Sequence, residues 1–176
     1  MLKLTRVQIF LCVLGLLLIV PALAHCQTTV RIGTYDSRAV ALAYYNSVAQ
    51  QQVSQNLQTE YQKAKAAGDE AKIRDLEAAG PVRQELMHQQ VFSSGTIGNI
   101  MLTLQDKIPA IAHDARVLLM ASKWDVTYRD PAIEYVDVTM QLVKLFNPEE
   151  KVLKWIEEMK SQPPIPIDKL PRGVKY

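Results

Sequence analysis

From Arg38 to Ala67 the chain runs 30 residues without a glycine or a proline, rich in alanine and glutamine. A stretch of that composition favours helix, and at 1.5 Å per residue it would be an arm of roughly 45 Å. Gly68-Asp69 breaks it, and helical character resumes from Glu70 to Ala79. Folding back at the break would pair Ala64 with Ile73 and Tyr61 with Leu76, the seam of an antiparallel helical hairpin. One long kinked helix is the competing reading. Gly80-Pro81 marks a second interruption, since proline is tolerated where it begins a helical turn.

The flanking segments have a different texture. Val30 to Tyr35 (VRIGTY) reads as a short strand, after which Asp36 or Ser37 can cap a helix. Ser93-Ser94-Gly95-Thr96 is a further break, with Thr96 as a possible cap. Ile97, Ile100, Met101, Leu104, Ile108 and Ile111 then recur at spacings of three and four, one apolar helix face that Pro109 should kink. Val117 to Ala121 (VLLMA) has the composition of a strand buried on both faces. Val126 to Arg129 (VTYR) suggests its hairpin partner, and Tyr135 to Val138 another extended piece. Thr139 can cap the next helix, which ends at Asn147-Pro148. These elements give an α+β fold class: a small β-sheet body with a protruding antiparallel helical hairpin.

Beyond Pro148 the chain changes character. Pro148 to Met159 begins with proline and acids and puts Val152, Ile156 and Met159 on one side, an amphipathic helix. The following QPPIPIDKLPRG carries four prolines and reads as an extended strap. The expected organisation is thus a signal peptide over 1–24, a body over 25–147 and a C-terminal helix with a proline-rich tail over 148–176.

The N-terminal segment has the three parts of a signal peptide. Lys3 and Arg6 precede an almost wholly apolar run from Val7 to Val20, and Ala22-Leu23-Ala24 supplies small residues for cleavage between Ala24 and His25. About fourteen apolar residues would span only ~21 Å, short of the ~30 Å hydrocarbon core that a stable anchor must cross. Lipidation of Cys26 is the variant reading, disfavoured because His25 is not small. Lys3 and Arg6 also account for the excess of 20 Lys and Arg over 18 Asp and Glu. The exported chain is near neutral, which removes the electrostatic case for nucleic acid.

Chemistry-bearing constellations are sparse. His88 and His113 lie without metal-ligand spacing or a nucleophile motif. Asp125, Asp130, Glu134 and Asp137 fall where turns are expected, and Gly95 and Gly98 are too few for a phosphate loop. Trp124, Tyr128, Tyr35 and Tyr135 gather around the expected sheet, as a ligand floor or more simply as sheet core or subunit interface. The expectation is a non-enzyme without cofactor, metal or catalytic residues.

The pattern as a whole resembles the OmpH/Skp family of periplasmic chaperones. VRIGTYDSRAV at the front and IPAIAHDARVLLMASKWDVTYRDPAIEYVDVTMQLVKLF at the back carry the resemblance, which covers the body from about Val30 to Phe146. It implies a homotrimer whose protomers pool their strands into a small barrel, with Val117, Leu118, Leu119 and Met120 as the subunit-interface strand. It also implies coiled-coil-like arms that hold unfolded or outer-membrane polypeptides in the periplasm without ATP. The alternative is a structural or scaffold protein binding one folded envelope partner through its arms and tail.

Overall fold

The computed structural model describes residues 29–170. The signal segment and its marks at Ala24, His25 and Cys26 lie outside the described residues. Helices and one small sheet share the chain, as an α+β class requires. The order is β1 (Arg31–Tyr35), α1 (Ser37–Tyr45), α2 (Val48–Ala67), α3 (Glu70–Phe92), α4 (Gly98–Leu102), α5 (Ile108–Asp114), β2 (Leu119–Ser122), β3 (Glu134–Asp137), α6 (Thr139–Lys144) and α7 (Glu150–Lys160). No described helix is long and apolar enough to cross a membrane.

All three strands are parallel, in the order β2-β1-β3. Ile32 stands opposite Leu119 on one side and Tyr135 on the other. Parallel neighbours need long crossovers, and the first one carries α1 to α5. This corrects the hairpin expected of VLLMA and VTYR: Val126 to Arg129 is not a strand. β2 directs its hydrogen bonds to β1, and the chain must then cross to the opposite edge of β1, so VTYR is part of that crossing. β2 is also not buried on both faces. It is an edge strand, with Leu118 81% and Leu119 52% exposed.

The long helical stretch is two helices. Asn46 closes α1 and Ser47 caps α2, its hydroxyl accepting from Gln50 N at 3.4 Å. The arm-length run therefore starts at Val48, and at ~1.5 Å per residue α2 is about 30 Å long. Gly68 closes α2 in the left-handed region (φ 66°), where a residue without Cβ is unstrained. Gly68 N and Asp69 N reach back to Lys65 O and Ala64 O. The Asp69 side chain then caps α3 through Lys72 N. α2 and α3 meet through Tyr61 Oη, which donates to Glu77 Oε1 at 2.9 Å, and through the Lys72–Glu60 ion pair at 3.3 Å.

α3 continues through Gly80-Pro81 to Phe92, against the expected interruption. Gly80 lacks the Cβ that would clash with the following proline ring, and Pro81 itself is exposed. The expected kink at Pro109 is instead a full break: α4 ends at Leu102, and Pro109 lies in the first turn of α5. The apolar stripe survives the break. Ile97, Ile100 and Leu104 are buried with Val40, Ala41, Val91, Val138 and Leu142, and Met101, Ile108 and Ile111 pack against them.

Two expected caps also differ. Thr139 does not cap α6; it is the first helical residue, and its Oγ1 accepts from Asp36 N at 2.9 Å. Val138 holds the cap position, and the Asp137 carboxylate, one residue earlier, accepts from Thr139 N. Thr96 makes only a 3.4 Å contact with Gly98 N, and Ile97 holds the cap position of α4.

A second core lies between α1, α6 and α7. Val152 and Ile156 of α7 are buried with Ala39, Ala43 and Val143. The segment after Pro148 is thus packed on the body, and the strap follows: Ile165 N donates to Phe92 O at 2.8 Å.

Candidate functional site

At the carboxyl end of β1 a buried ionic node joins the sheet to α1 and α7. Asp36 is 1% and Arg38 2% exposed. Asp36 caps α1 by accepting from Arg38 N at 3.1 Å. Its carboxylate also accepts from Arg38 Nε and Nη2, from Trp124 Nε1 at 2.9 Å and from Lys123 Nζ at 2.8 Å. Burial pushes the Asp36 carboxyl upward, but the bonds from Arg38, Lys123 and Trp124 and the Arg38 charge outweigh it. The result is a pKa lowered to about 2. The guanidinium of Arg38 lies 4.7 Å from the Trp124 ring centre. Its Nη2 also donates to Met159 O and Gln162 O, so one buried cation ties the last turn of α7 to the start of α1. A cation on the carbonyls at a helix C-terminus is favoured by the helix dipole.

In open parallel sheets ligands bind beyond the carboxyl ends of the strands, where the strand order reverses. With β1 central that point lies between β1 and β3, and the protein fills it with its own groups: Asp36 N on Thr139 Oγ1, Thr139 N on Asp137, and Val138 N on Thr34 O. The open space is on the β2 side. A cavity of about 240 Å³ there is lined by Tyr35, Ser37, Ser122, Asp125 and Met101 and by the Ser94–Gly98 loop. Gly95 is required in that loop, because a Cβ there would stand 2.8 Å from Gln89 O. Burial, and next the Asp125 charge, push the Tyr35 hydroxyl above its ordinary value.

A different surface runs along α2 and α3. Tyr61 and Leu76, expected to meet at a seam, line one groove of about 400 Å³ with Leu57, Ala79 and Arg83. Ala64 is buried and Ile73 half-buried. Further along these helices Val48, Val53, Val82 and Leu86 stand exposed. At their base Gln90 is buried, accepting from Tyr45 Oη at 2.7 Å and donating to Thr96 O and Asn99 Oδ1. A second apolar groove, also about 400 Å³, lies where α7 meets α3, between Leu42, Phe92, Trp155 and Met159.

The other candidates are scattered. His88 lies beside Phe92, His113 is exposed on α5, and among the described residues no group of three or more His, Cys, Asp and Glu could hold a metal. Asp125, Asp130, Glu134 and Asp137 do separate work. Glu134 pairs with Arg31 at 2.9 Å and Asp130 accepts from Ala132 N. Trp124 belongs to the node, Tyr128 is exposed, and Tyr135 stacks under Arg129. Sequence reasoning took Asp36 only as a helix cap and missed its pairing with Arg38 and Lys123. The spacing of Asp36 and Arg38 was visible, but Lys123 lies too far along the chain for any local signal to join it to them. Gln90 left no trace among the other glutamines.

Compared with known proteins, the chain matches no family model, no curated protein and no solved structure.

Proposed function

We propose that the protein is an exported, ATP-independent holdase of the OmpH/Skp kind, without catalytic activity or a cofactor. In this reading α2 and α3 form an antiparallel hairpin arm. The strands of three copies pool into a small barrel, and the arms hold unfolded or outer-membrane polypeptides in the periplasm. The observation that carries it is the character of the α2–α3 pair. Apart from Ala64 and the base at Gln90 and Val91, these two helices bury no side chain, yet they carry an open groove lined by Leu57, Tyr61 and Leu76. Soluble helices normally spend such an apolar surface on a core, and one left open between polar residues suits transient contact with non-native chains.

The exposed Leu118 and Leu119 support the pooled sheet, because a three-stranded sheet with a bare apolar edge invites further pairing. The near-neutral charge fits a client held by apolar contact rather than by electrostatic capture.

The test is aggregation of a denatured outer-membrane β-barrel protein, diluted from urea with the exported chain at stoichiometric ratios. Light scattering is expected to rise more slowly, and Leu57→Ser with Leu76→Ser is expected to abolish most of the delay while leaving the fold intact. No delay at all overturns the holdase. Capture of one folded envelope protein in its place establishes the scaffold alternative.

A further inference from the structure

The cavity at the β2 side of the sheet has a composition that selects its occupant. Its lining is rich in neutral hydroxyls, and Asp125 is its one ionisable carboxylate. Asp125 is exposed and makes no ion pair among those of the described residues. The two nearby cations are committed elsewhere, since Arg38 and Lys123 both bind Asp36. Neither Arg38 nor Lys123 lines the cavity, so the one charged group its walls present is the Asp125 carboxylate. A single carboxylate is too few ligands for a divalent cation. The volume, about 240 Å³, falls below the ~300–1,000 Å³ of small-molecule sites and suits a group the size of one side chain.

The walls divide by polarity in a matching way. Ile97 is buried and Met101 half-buried, offering an apolar wall, while Ser37 and Ser122 are buried hydroxyl residues and Tyr35 is half-buried in the same lining. An alkyl stem packs on apolar surface while its charged head seeks polar partners, and an ammonium near a tyrosine ring gains cation–π attraction. We propose that this cavity binds a protonated alkylamine, its head at Asp125 and Tyr35 and its stem along Met101, and that the natural source is a lysine side chain of a bound polypeptide. The amine site stands on the cavity alone, whereas its assignment to a client rests on the holdase reading.

The experiment uses the exported chain and n-butylammonium chloride, followed by amide NMR shifts, with 1-butanol as the neutral control. Saturable shifts centred on Tyr35, Thr96 and Asp125 are expected, and 1-butanol is expected to leave them unmoved. Asp125→Asn should weaken binding by at least about tenfold, the loss of one charge-assisted contact. Met101→Lys, which supplies a tethered ammonium of its own, should abolish the shifts. Shifts that 1-butanol reproduces, that survive Asp125→Asn, or that do not saturate overturn the site. The two readings fail separately: amine binding without delayed aggregation removes the client, and delayed aggregation without amine binding removes the site.

Discussion

Asp36 joins the end of a strand, the cap of a helix and a buried counter-ion in one side chain. Five donors reach its carboxylate: Arg38 N, Nε and Nη2, Trp124 Nε1 and Lys123 Nζ. Removing one partner of a buried pair leaves an uncompensated charge, which typically costs ~3–5 kcal/mol. Asp36→Asn keeps the size and one oxygen to cap α1, so its cost reads the lost charge together with the bonds that Arg38 Nη2 and Lys123 Nζ make to the second oxygen. Denaturant titration is expected to show a loss in that range, larger than for Lys123→Ala, because Lys123 is partly exposed and can return to water. The same residue sets an acid limit. Its carboxyl is lowered from 3.8 to about 2, so the unfolded chain binds the proton more readily. The stabilisation is complete above pH 3.8 and is lost as pH falls through about 2. A shift of that size corresponds to about 2 kcal/mol. Wild type should lose stability over that window, and the part due to this residue should vanish in Asp36→Asn. An acid slope unchanged in the variant would remove Asp36 from the account.

The elements show which local signals are decisive and which are overruled. Ser47-Val48-Ala49-Gln50 has the S-x-x-Q spacing of a capping box, and it marks the α1–α2 boundary that composition alone passes over. Gln50 turns its amide to Tyr44 Oη, so only half of the box forms. The stripe from Ile97 to Ile111 and the pair Val152 and Ile156 were legible, because a period of three and four needs no knowledge of the partner surface. The Gly80-Pro81 interruption was misjudged for a reason of degree. A proline inside a helix removes one backbone bond and crowds the preceding turn, at ~3 kcal/mol or more, a cost that a 23-residue helix can carry when the ring faces outward. Pro81→Ala restores that bond and should stabilise α3. Its amides from Glu77 to Glu85 should exchange more slowly and the denaturation midpoint should rise; a lower midpoint would show that the proline is needed for packing.

On the scale of the whole molecule, the sequence's short apolar runs were recognisable as strands, but their neighbours were not. VTYR and EYVD have similar β-branched and aromatic character, and only pairing with β1 decides between them: Glu134 to Asp137 reach its free edge, while Val126 to Arg129 are spent on the crossing. The candidate site was less legible still, since Tyr35, Thr96, Ser122 and Asp125 come together only after the sheet closes. Pairing also leaves the two edges of the sheet unlike each other. β3 carries Glu134 and Asp137 and follows Pro131, features that discourage further strands, while β2 begins at Leu119, directly after Leu118, with no charge within its own four residues. If three copies pool their strands, this bare edge is where they join. Light scattering of the chain from His25 onward should then give three times the protomer mass, and Leu118→Lys with Leu119→Lys should reduce it to one. Both positions are exposed in the protomer, so the substitutions leave its own core untouched. A monomeric wild type removes the barrel, while a trimer that tolerates both lysines moves its interface away from β2.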